Sequence, residues 1–371
     1  MTPLVRIVDA SLGRDAQVRL VVSGLEDPDR LRATWASSGA IVERVGERLH
    51  ATTTVVALVR AAGRSMDRPR AERLRDHAIQ AVNAWLDPEP TVVMGAKVVR
   101  YGPRCQIMGI VNVTPDSFSD GGLLYPDDHP RRAIAAARRL HEEGAAVIDV
   151  GGESSRPGAA PVAVDDELAR AVPVVAACAE QGMTVSIDTV KAEVAEAAVD
   201  AGAQIVNDVS GARYPELLDV VAAADVAYVL MHTRSTPADM KRHTHYDDVV
   251  AETYEFLAEG LDRLEAAGIP RERVIVDPGI GFAKDLDHNL ALLRELRQFR
   301  SLARPVLVGA SRKTFIGMLN DAEPDDRLEG SLASAVVAAT AGAGIVRVHD
   351  VAQTRRALNV ATAVARRRAP G

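Results

Sequence analysis

The sequence predicts an α/β protein, a closed (β/α)8 barrel preceded by a small α+β domain. Three observations predict it. From Ile107 onward, eight short apolar runs recur, each rich in β-formers and bounded by Gly, Pro or Asp. Longer amphipathic stretches alternate with them. A polar residue recurs where each run ends. Buried parallel strands read as continuous apolar runs, and eight βα units in succession favour closure over an open sheet.

The chain has 371 residues, which suits a barrel of about 250 residues plus a smaller domain. Asp87-Pro88-Glu89-Pro90 marks a break, because two prolines in four residues resist both helix and sheet. The expected domains are therefore residues 1–88, of unassigned role, and residues 89–371, the barrel with a hairpin over 91–104. In the first domain the pattern predicts a strand at Val18–Val22, a helix over Asp27–Ser37, one or two strands within Ile41–Val56, and a helix over Arg70–Leu86. TVVMGAKVVRYG alternates around a glycine, as a hairpin does.

The barrel strands are expected at Ile107–Val113, Ala146–Val150, Thr184–Ile187, Gln204–Val206, Ala227–Met231, Arg273–Val276, Pro305–Val308 and Gly344–Val348. Helical periodicity fills the intervals, as in RRAIAAARRLHEEG, DVVAETYEFLAEGLDRLEAAG and HNLALLRELRQF.

Hydrophobic residues make up 47% of the chain and charged residues 26%, enough for a packed core. The formal net charge of -7 lacks the basic field that holds a nucleic-acid backbone. Cys105 and Cys178 form neither a CxxC pair nor a zinc spacing, and read as free thiols in a reducing cytoplasm. MTPLVRIVDASLGRD lacks the basic and apolar regions of a signal peptide, and no apolar stretch approaches the ~20 residues of a membrane span.

The polar residues closing the runs are Asn112, Asp149, Asp188, Asn207, His232, Asp277, Ser311 with Lys313, and Arg347 with His349. Any one Asp or Asn is as readily a helix cap. Eight in register are better explained by a barrel's catalytic rim, where strand C-termini converge. Asp188, Asn207 and Asp277 suit a flat heterocycle. A carboxylate accepts paired N–H bonds, and an amide both donates and accepts. Lys313 can donate to a carbonyl oxygen and a ring nitrogen, so the set suits a pterin edge; the competing reading pairs Lys313 with one Asp as a structural ion pair.

GGESSRPG, residues 151–158, combines glycines, two hydroxyls and Arg156, while RVHD adds Arg347 and His349. Arginines, a histidine and hydroxyls can hold a pyrophosphate through charge-assisted bonds. His349 is otherwise an ordinary rim histidine. Asn112 offers a hard oxygen to Mg²⁺, which usually takes only one or two protein oxygens beside water and substrate phosphate. The long loop NVTPDSFSDGG reads either as a lid, with Phe118 facing an aromatic substrate, or as a plain surface loop. GxSxG, HExxH and the P-loop lysine motif are all absent, so covalent and zinc chemistry have no support.

Seven blocks, in order, carry a resemblance: IMGIVNVTPDSFSDGG, AAVIDVGGESSRPGA, VSIDT, IVNDVSG, DPGIGFAK, VGASRK and GIVRVHDV. They resemble the signature blocks of bacterial dihydropteroate synthases over roughly Val92 to Arg367. The resemblance implies a TIM barrel that joins 6-hydroxymethyl-7,8-dihydropterin pyrophosphate to 4-aminobenzoate, giving 7,8-dihydropteroate. It implies a pterin site of Asp188, Asn207, Met231, Asp277, Gly309 and Lys313. Ser155, Arg156, Arg347 and His349 would hold the pyrophosphate, and Asn112 would ligate Mg²⁺. Phe118, Pro157, Phe282 and Thr314 would border 4-aminobenzoate. Asp188, Lys313, Arg347 and Asp120 would be the catalytic set, with Asp120 organising the first loop. A homodimer and inhibition by sulfonamides are further implications.

The chain departs from the family pattern in two places. Ser155 stands where many members carry Thr, which keeps the hydroxyl and loses a methyl beside 4-aminobenzoate. Residues 1–87 lie outside the usual core and read as an accessory or oligomerisation domain. Two other functions share features with this one. A methyltetrahydrofolate–corrinoid methyltransferase shares the barrel and the pterin readers but has no need of Arg156, Arg347 and His349 around a pyrophosphate. A non-catalytic pterin-binding paralogue would be expected to lack Lys313, Arg347 or the first loop, and all are present.

Overall fold

A computed structural model describes residues 3–10, 18–37, 40–86, 90–101, 104–114, 129–156, 158–236 and 238–365. The chain forms two compact units, one of residues 1–90 with 296–304, the other of residues 91–295 with 305–371.

The first unit is α+β, as expected. Strands β1 (Leu4–Ala10), β2 (Val18–Ser23), β3 (Ile41–Val45) and β4 (Arg48–Thr53) form an antiparallel sheet in the order β1-β2-β4-β3. Helices α1 (Pro28–Ala36), α2 (Val55–Ser65) and α3 (Arg68–Leu86) complete it. Its core gathers Ile7, Leu20, Leu31, Trp35, Leu49, Leu58, Leu74 and Trp85. The apolar pattern does not announce β1. It also carries the strand prediction as far as Val56, whereas β4 ends at Thr53. Thr54 instead caps α2, its hydroxyl accepting from the Ala57 amide at 3.2 Å. A side-chain cap thus overrides the β preference of Val55 and Val56.

Residues 296–304 join this unit through specific bonds. The Ile7 amide donates to Ser301 Oγ at 3.0 Å, and Arg300 donates to the Trp85 carbonyl at 2.9 Å. The helix predicted to run on through Phe299 accordingly stops early. Its tail becomes a 3-10 turn over Leu296–Leu302 that buries Leu296, Phe299 and Leu302.

The second unit opens with the expected hairpin, β5 (Thr91–Met94) and β6 (Lys97–Arg100). All eight predicted barrel strands follow: β7 (Gln106–Asn112), β8 (Val147–Gly151), β9 (Val185–Asp188), β10 (Ile205–Asp208), β11 (Ala227–Met231), β12 (Val274–Asp277), β13 (Leu307–Val308) and β14 (Ile345–Val348). They form one parallel sheet in the order β12-β11-β10-β9-β8-β7-β14-β13. A parallel bridge between Val276 and Val306 closes the ring, with the Val276 amide donating to the Pro305 carbonyl at 3.0 Å.

The intervening helices are α4 (His129–Glu143), α5 (Val164–Glu180), α6 (Ala192–Asp200), α7 (Pro215–Ala223), α8 (Val249–Ala266), α9 (Leu286–Arg294), α10 (Thr314–Asn320), α11 (Leu328–Thr340) and α12 (Val351–Ala365). None of the described helices is long and apolar enough to cross a membrane.

The N-terminal mouth of the barrel is apolar. Met108, Val147, Ile205, Ala227, Ile275, Leu307 and Ile345 meet Val92, Met94 and Tyr101 in one buried cluster, so the hairpin plugs this end. Each fully buried Met, Val, Leu or Ile side chain there contributes roughly 1.5–3 kcal/mol. The opposite mouth is left for polar groups.

Candidate active site

Register brings the predicted residues together. Asn112 pairs with Gly151, Gly151 with Asp188, Asp188 with Asn207, and Met231 with Asp277. These residues end neighbouring strands, so their side chains share one rim. Asp188 is 8% exposed, Asn207 3% and Asp277 7%. Asn112 is half-buried, and its Oδ1 lies 3.8 Å from the point a Cβ on Gly151 would occupy, as does Asp188 Oδ2.

Arg347 crosses the rim from β14. Its Nε donates to Asp149 Oδ2 at 2.6 Å and its Nη2 to Asp188 Oδ2 at 2.7 Å. Asn207 Nδ2 donates to the same Asp149 oxygen at 3.2 Å. Burial pushes the Asp188 carboxyl up to about 7; Arg347 opposes the shift and the Asp149 charge adds to it. Arg347 itself is held further in its charged form by those carboxylates, against its burial.

Asp277 is raised by burial, although its Oδ1 accepts from the Gly279 amide at 2.7 Å. Lys313 is lowered by burial to about 8, with Asp277 opposing. Its Nζ donates to the Ile280 carbonyl and lies 4.3 Å from the Phe282 ring centre, a cation–π contact. Lys313 therefore spends itself on a carbonyl and a ring, and feels Asp277 through space, which argues against a purely structural ion pair.

Around the pyrophosphate candidates, His349 Nδ1 lies 3.0 Å from Ser311 Oγ. Burial first, then Arg347 and Arg312, push His349 down to about 3, and the charge of Arg156 acts in the same direction. The imidazole is thus neutral near pH 7. Ser155 is half-buried and Arg156 exposed. Met231 is buried at the end of β11, and a Cβ on Gly309 would stand 3.8 Å from Arg347 Cβ. Phe282 is half-buried and Thr314 exposed at the start of α10. Phe118, Asp120 and Pro157 lie outside the described residues.

Several site residues do not stand out in the sequence. Asp149 is fully buried between Arg347 and Asn207, although it appears among the strand-end polar residues. Lys284, 8% exposed, donates to the Gly279 and Phe282 carbonyls, each at 3.0 Å, and lies 2.9 Å from His232 Nδ1. It ties down the turn that bears Ile280 and Phe282. Gly279, with φ +68°, is confined there, since a Cβ would meet the His232 carbonyl oxygen at 2.1 Å. Lys191 joins Glu153 and Glu167, and Thr189 donates to Glu167 at 2.7 Å. This cluster, with Glu167 and Thr189 buried and Lys191 and Glu153 half-buried, anchors the start of the 151–158 loop. Among the described residues, no group of three or more His, Cys, Asp or Glu is arranged to hold a metal ion.

The acid-and-amide rim on an eight-stranded barrel belongs to a class, the pterin-binding enzymes: the family profile described as "Pterin binding enzyme" matches residues 108–349. The dihydropteroate synthase of Escherichia coli (strain K12) is 46% identical over 258 residues, 69% of this chain and 90% of that protein. The solved dihydropteroate synthase of Xanthomonas albilineans with 4-aminobenzoic acid superposes with TM-score 0.69 at 46% identity, covering 74% of this chain and 98% of that one. The Yersinia pestis enzyme in a sulfonamide drug complex gives TM-score 0.69 at 41% identity, with the same coverage of 74% and 98%. The chain belongs to the dihydropteroate synthase family.

Proposed function

We propose that this protein is a dihydropteroate synthase that joins 6-hydroxymethyl-7,8-dihydropterin pyrophosphate to 4-aminobenzoate on the rim just described. The observation that carries the reading is the convergence of Asp188, Asn207, Asp277, Lys313 and Arg347 from five strands and their loops onto one mouth of the barrel. Asp188, Asn207, Asp277 and Lys313 read the edges of the pterin, with Met231 and Gly309 lining its pocket. Ser155, Arg156, Arg347 and His349 hold the pyrophosphate. Phe282 and Thr314, with Phe118 and Pro157, border the aminobenzoate.

The donor set at Asn112 fits Mg²⁺ as an ion shared with substrate, since one hard amide oxygen leaves most positions to water and phosphate oxygens. Asn112 would hold the ion, which would supply positive charge to a pyrophosphate leaving group. The protein's own residues then do the following. Arg347 keeps Nε on Asp149, while its Nη1, without a partner among the described residues, is available to the leaving phosphate. As the C–O bond breaks, positive charge develops on the pterin methylene, and buried Asp188 stabilises it electrostatically. The amine of 4-aminobenzoate, a neutral aniline at pH 7, attacks that carbon through its lone pair, and the acidic N–H proton of the resulting anilinium passes to water or to the departed pyrophosphate, so no strong base is needed. Asp120 would order the first loop.

Sulfonamides, which resemble the aromatic amine, are expected to compete for the same space. A homodimer is the proposed assembly, testable by sedimentation. The deciding assay incubates purified protein with the dihydropterin pyrophosphate, Mg²⁺ and 4-aminobenzoate. Dihydropteroate and free pyrophosphate should form in equal amounts. If neither forms and a methyl group instead moves from methyltetrahydrofolate to a corrinoid, the methyltransferase reading replaces this one.

A further inference from the structure

We infer that Asp149 is a positioning residue that sets the hydrogen-bond polarity of the pterin pocket, by fixing which end of the Asn207 amide faces the substrate and by anchoring Arg347 beside it. The inference rests on the reading of Asn207 and Arg347 as substrate-binding groups.

Asp149 lies two residues before Gly151 on β8, so the two share the strand's inward face. It is fully buried, and its Oδ2 accepts from both Asn207 Nδ2 at 3.2 Å and Arg347 Nε at 2.6 Å. Because Oδ2 already accepts from the guanidinium, it faces Asn207 as an acceptor. The Asn207 amide therefore has one orientation open to it: NH₂ toward Asp149, carbonyl oxygen away. Flipping it would set an amide oxygen against a carboxylate oxygen in a buried site, a costly contact. Asn207 is thus forced to offer an acceptor to the pocket, and the pocket prefers a ligand with a donor at that point. The same Asp149 oxygen fixes the guanidinium through Nε, which leaves the far side of Arg347 for the anionic group. Its other oxygen, Oδ1, is buried without a partner among the described residues. A carboxylate kept for stability alone would be expected to satisfy both oxygens.

The test is a double-mutant cycle on the full-length enzyme, with KM and kcat measured for both substrates and melting followed alongside. Asn207→Ala is expected to raise KM for the dihydropterin pyrophosphate about tenfold, the scale of one lost buried hydrogen bond. Asp149→Asn keeps the shape but removes the charge that orients the amide and the guanidinium. It should raise the same KM about tenfold while KM for 4-aminobenzoate stays within about twofold. In the Asp149→Asn background, adding Asn207→Ala should cost less than about threefold, because the two act as a unit. Full additivity, or an unchanged pterin KM in Asp149→Asn, overturns the inference. An unchanged pterin KM in Asn207→Ala alone would instead overturn the assignment of Asn207 on which it rests.

Asn207→Asp tests the same point without altering Asp149. It keeps an acceptor toward the pocket but opposes two carboxylates. Its pterin KM should be at least as high as that of Asn207→Ala, and a wild-type value would sink the proposal even if Asp149→Asn failed to fold.

Discussion

The two mouths of the barrel are made by the same eight strands and carry opposite chemistry. At the N-terminal mouth, Met108, Ile205, Ile275 and Ile345 pack on Val92, Met94 and Tyr101 of the hairpin. At the C-terminal mouth, Asp149, Asp188, Asn207 and Asp277 are nearly as well buried, yet they are polar. One mouth gains stability from apolar burial. The other holds Asp188 and Asp277 in an environment that disfavours their charge, with Asp188 pushed up to about 7. The contrast separates what keeps the barrel folded from what makes it react, and substitutions at the two mouths should therefore fail in different ways.

The largest separation is expected from Asp188→Asn. It should cut turnover by about a hundredfold to ten-thousandfold, by removing the charge that faces the developing cation, while the protein still folds and melts cooperatively. Near wild-type kcat would remove Asp188 from the chemistry. Arg347→Ala should act next most strongly, raising KM for the pyrophosphate substrate by roughly tenfold to a hundredfold and leaving KM for 4-aminobenzoate little changed. Equal effects on both would mean that Arg347 supports the whole rim. At the opposite mouth, Ile205→Ala should cost about 2–5 kcal/mol in denaturant unfolding with kcat nearly unchanged. A loss of turnover without a loss of stability would erase the distinction between the mouths.

The pH dependence is a smaller effect. Asp188 is raised from 3.8 to about 7, so between those values the folded protein holds a proton that the unfolded chain has released. Stability from this group is therefore present below 3.8 and declines as pH rises toward 7. Asp188→Asn should flatten the fall of the melting temperature over that range, and an unaltered slope would assign the decline to other groups. Smallest of all, Ser155→Thr adds a methyl beside the same hydroxyl and should change a sulfonamide inhibition constant by less than about tenfold with kcat preserved. A collapse of kcat would mean that the loop cannot accommodate the extra methyl.

The legibility of the sequence follows the same divide. The barrel strands could be read because each is a buried apolar run with a polar stop, and strand ends such as Asp188, Asn207 and Asp277 fall where that pattern puts them. Strand β1 could not, because Arg6 and Asp9 interrupt its apolar residues, and only pairing with β2 marks it as a strand. The end of α9 could not either: HNLALLRELRQF is helical by period, yet Leu296 and Phe299 are buried in a 3-10 segment that belongs to the first unit. At the rim, Lys284 passes unnoticed because lysine is usually a surface residue, and nothing local states that its ammonium will meet two carbonyls and His232.

By itself, the sequence determined the eightfold βα order, the polar strand ends and the family blocks, because these rest on local periodicity and residue identity. Only the tertiary structure decided how charge is shared among them: that Arg347 lies between Asp149 and Asp188, that burial, Arg347 and Arg312 disfavour the charge of His349, and that Lys313 turns to Ile280. Such pairings join residues as much as 198 positions apart. They depend on burial and distance, which exist only once the ring has closed.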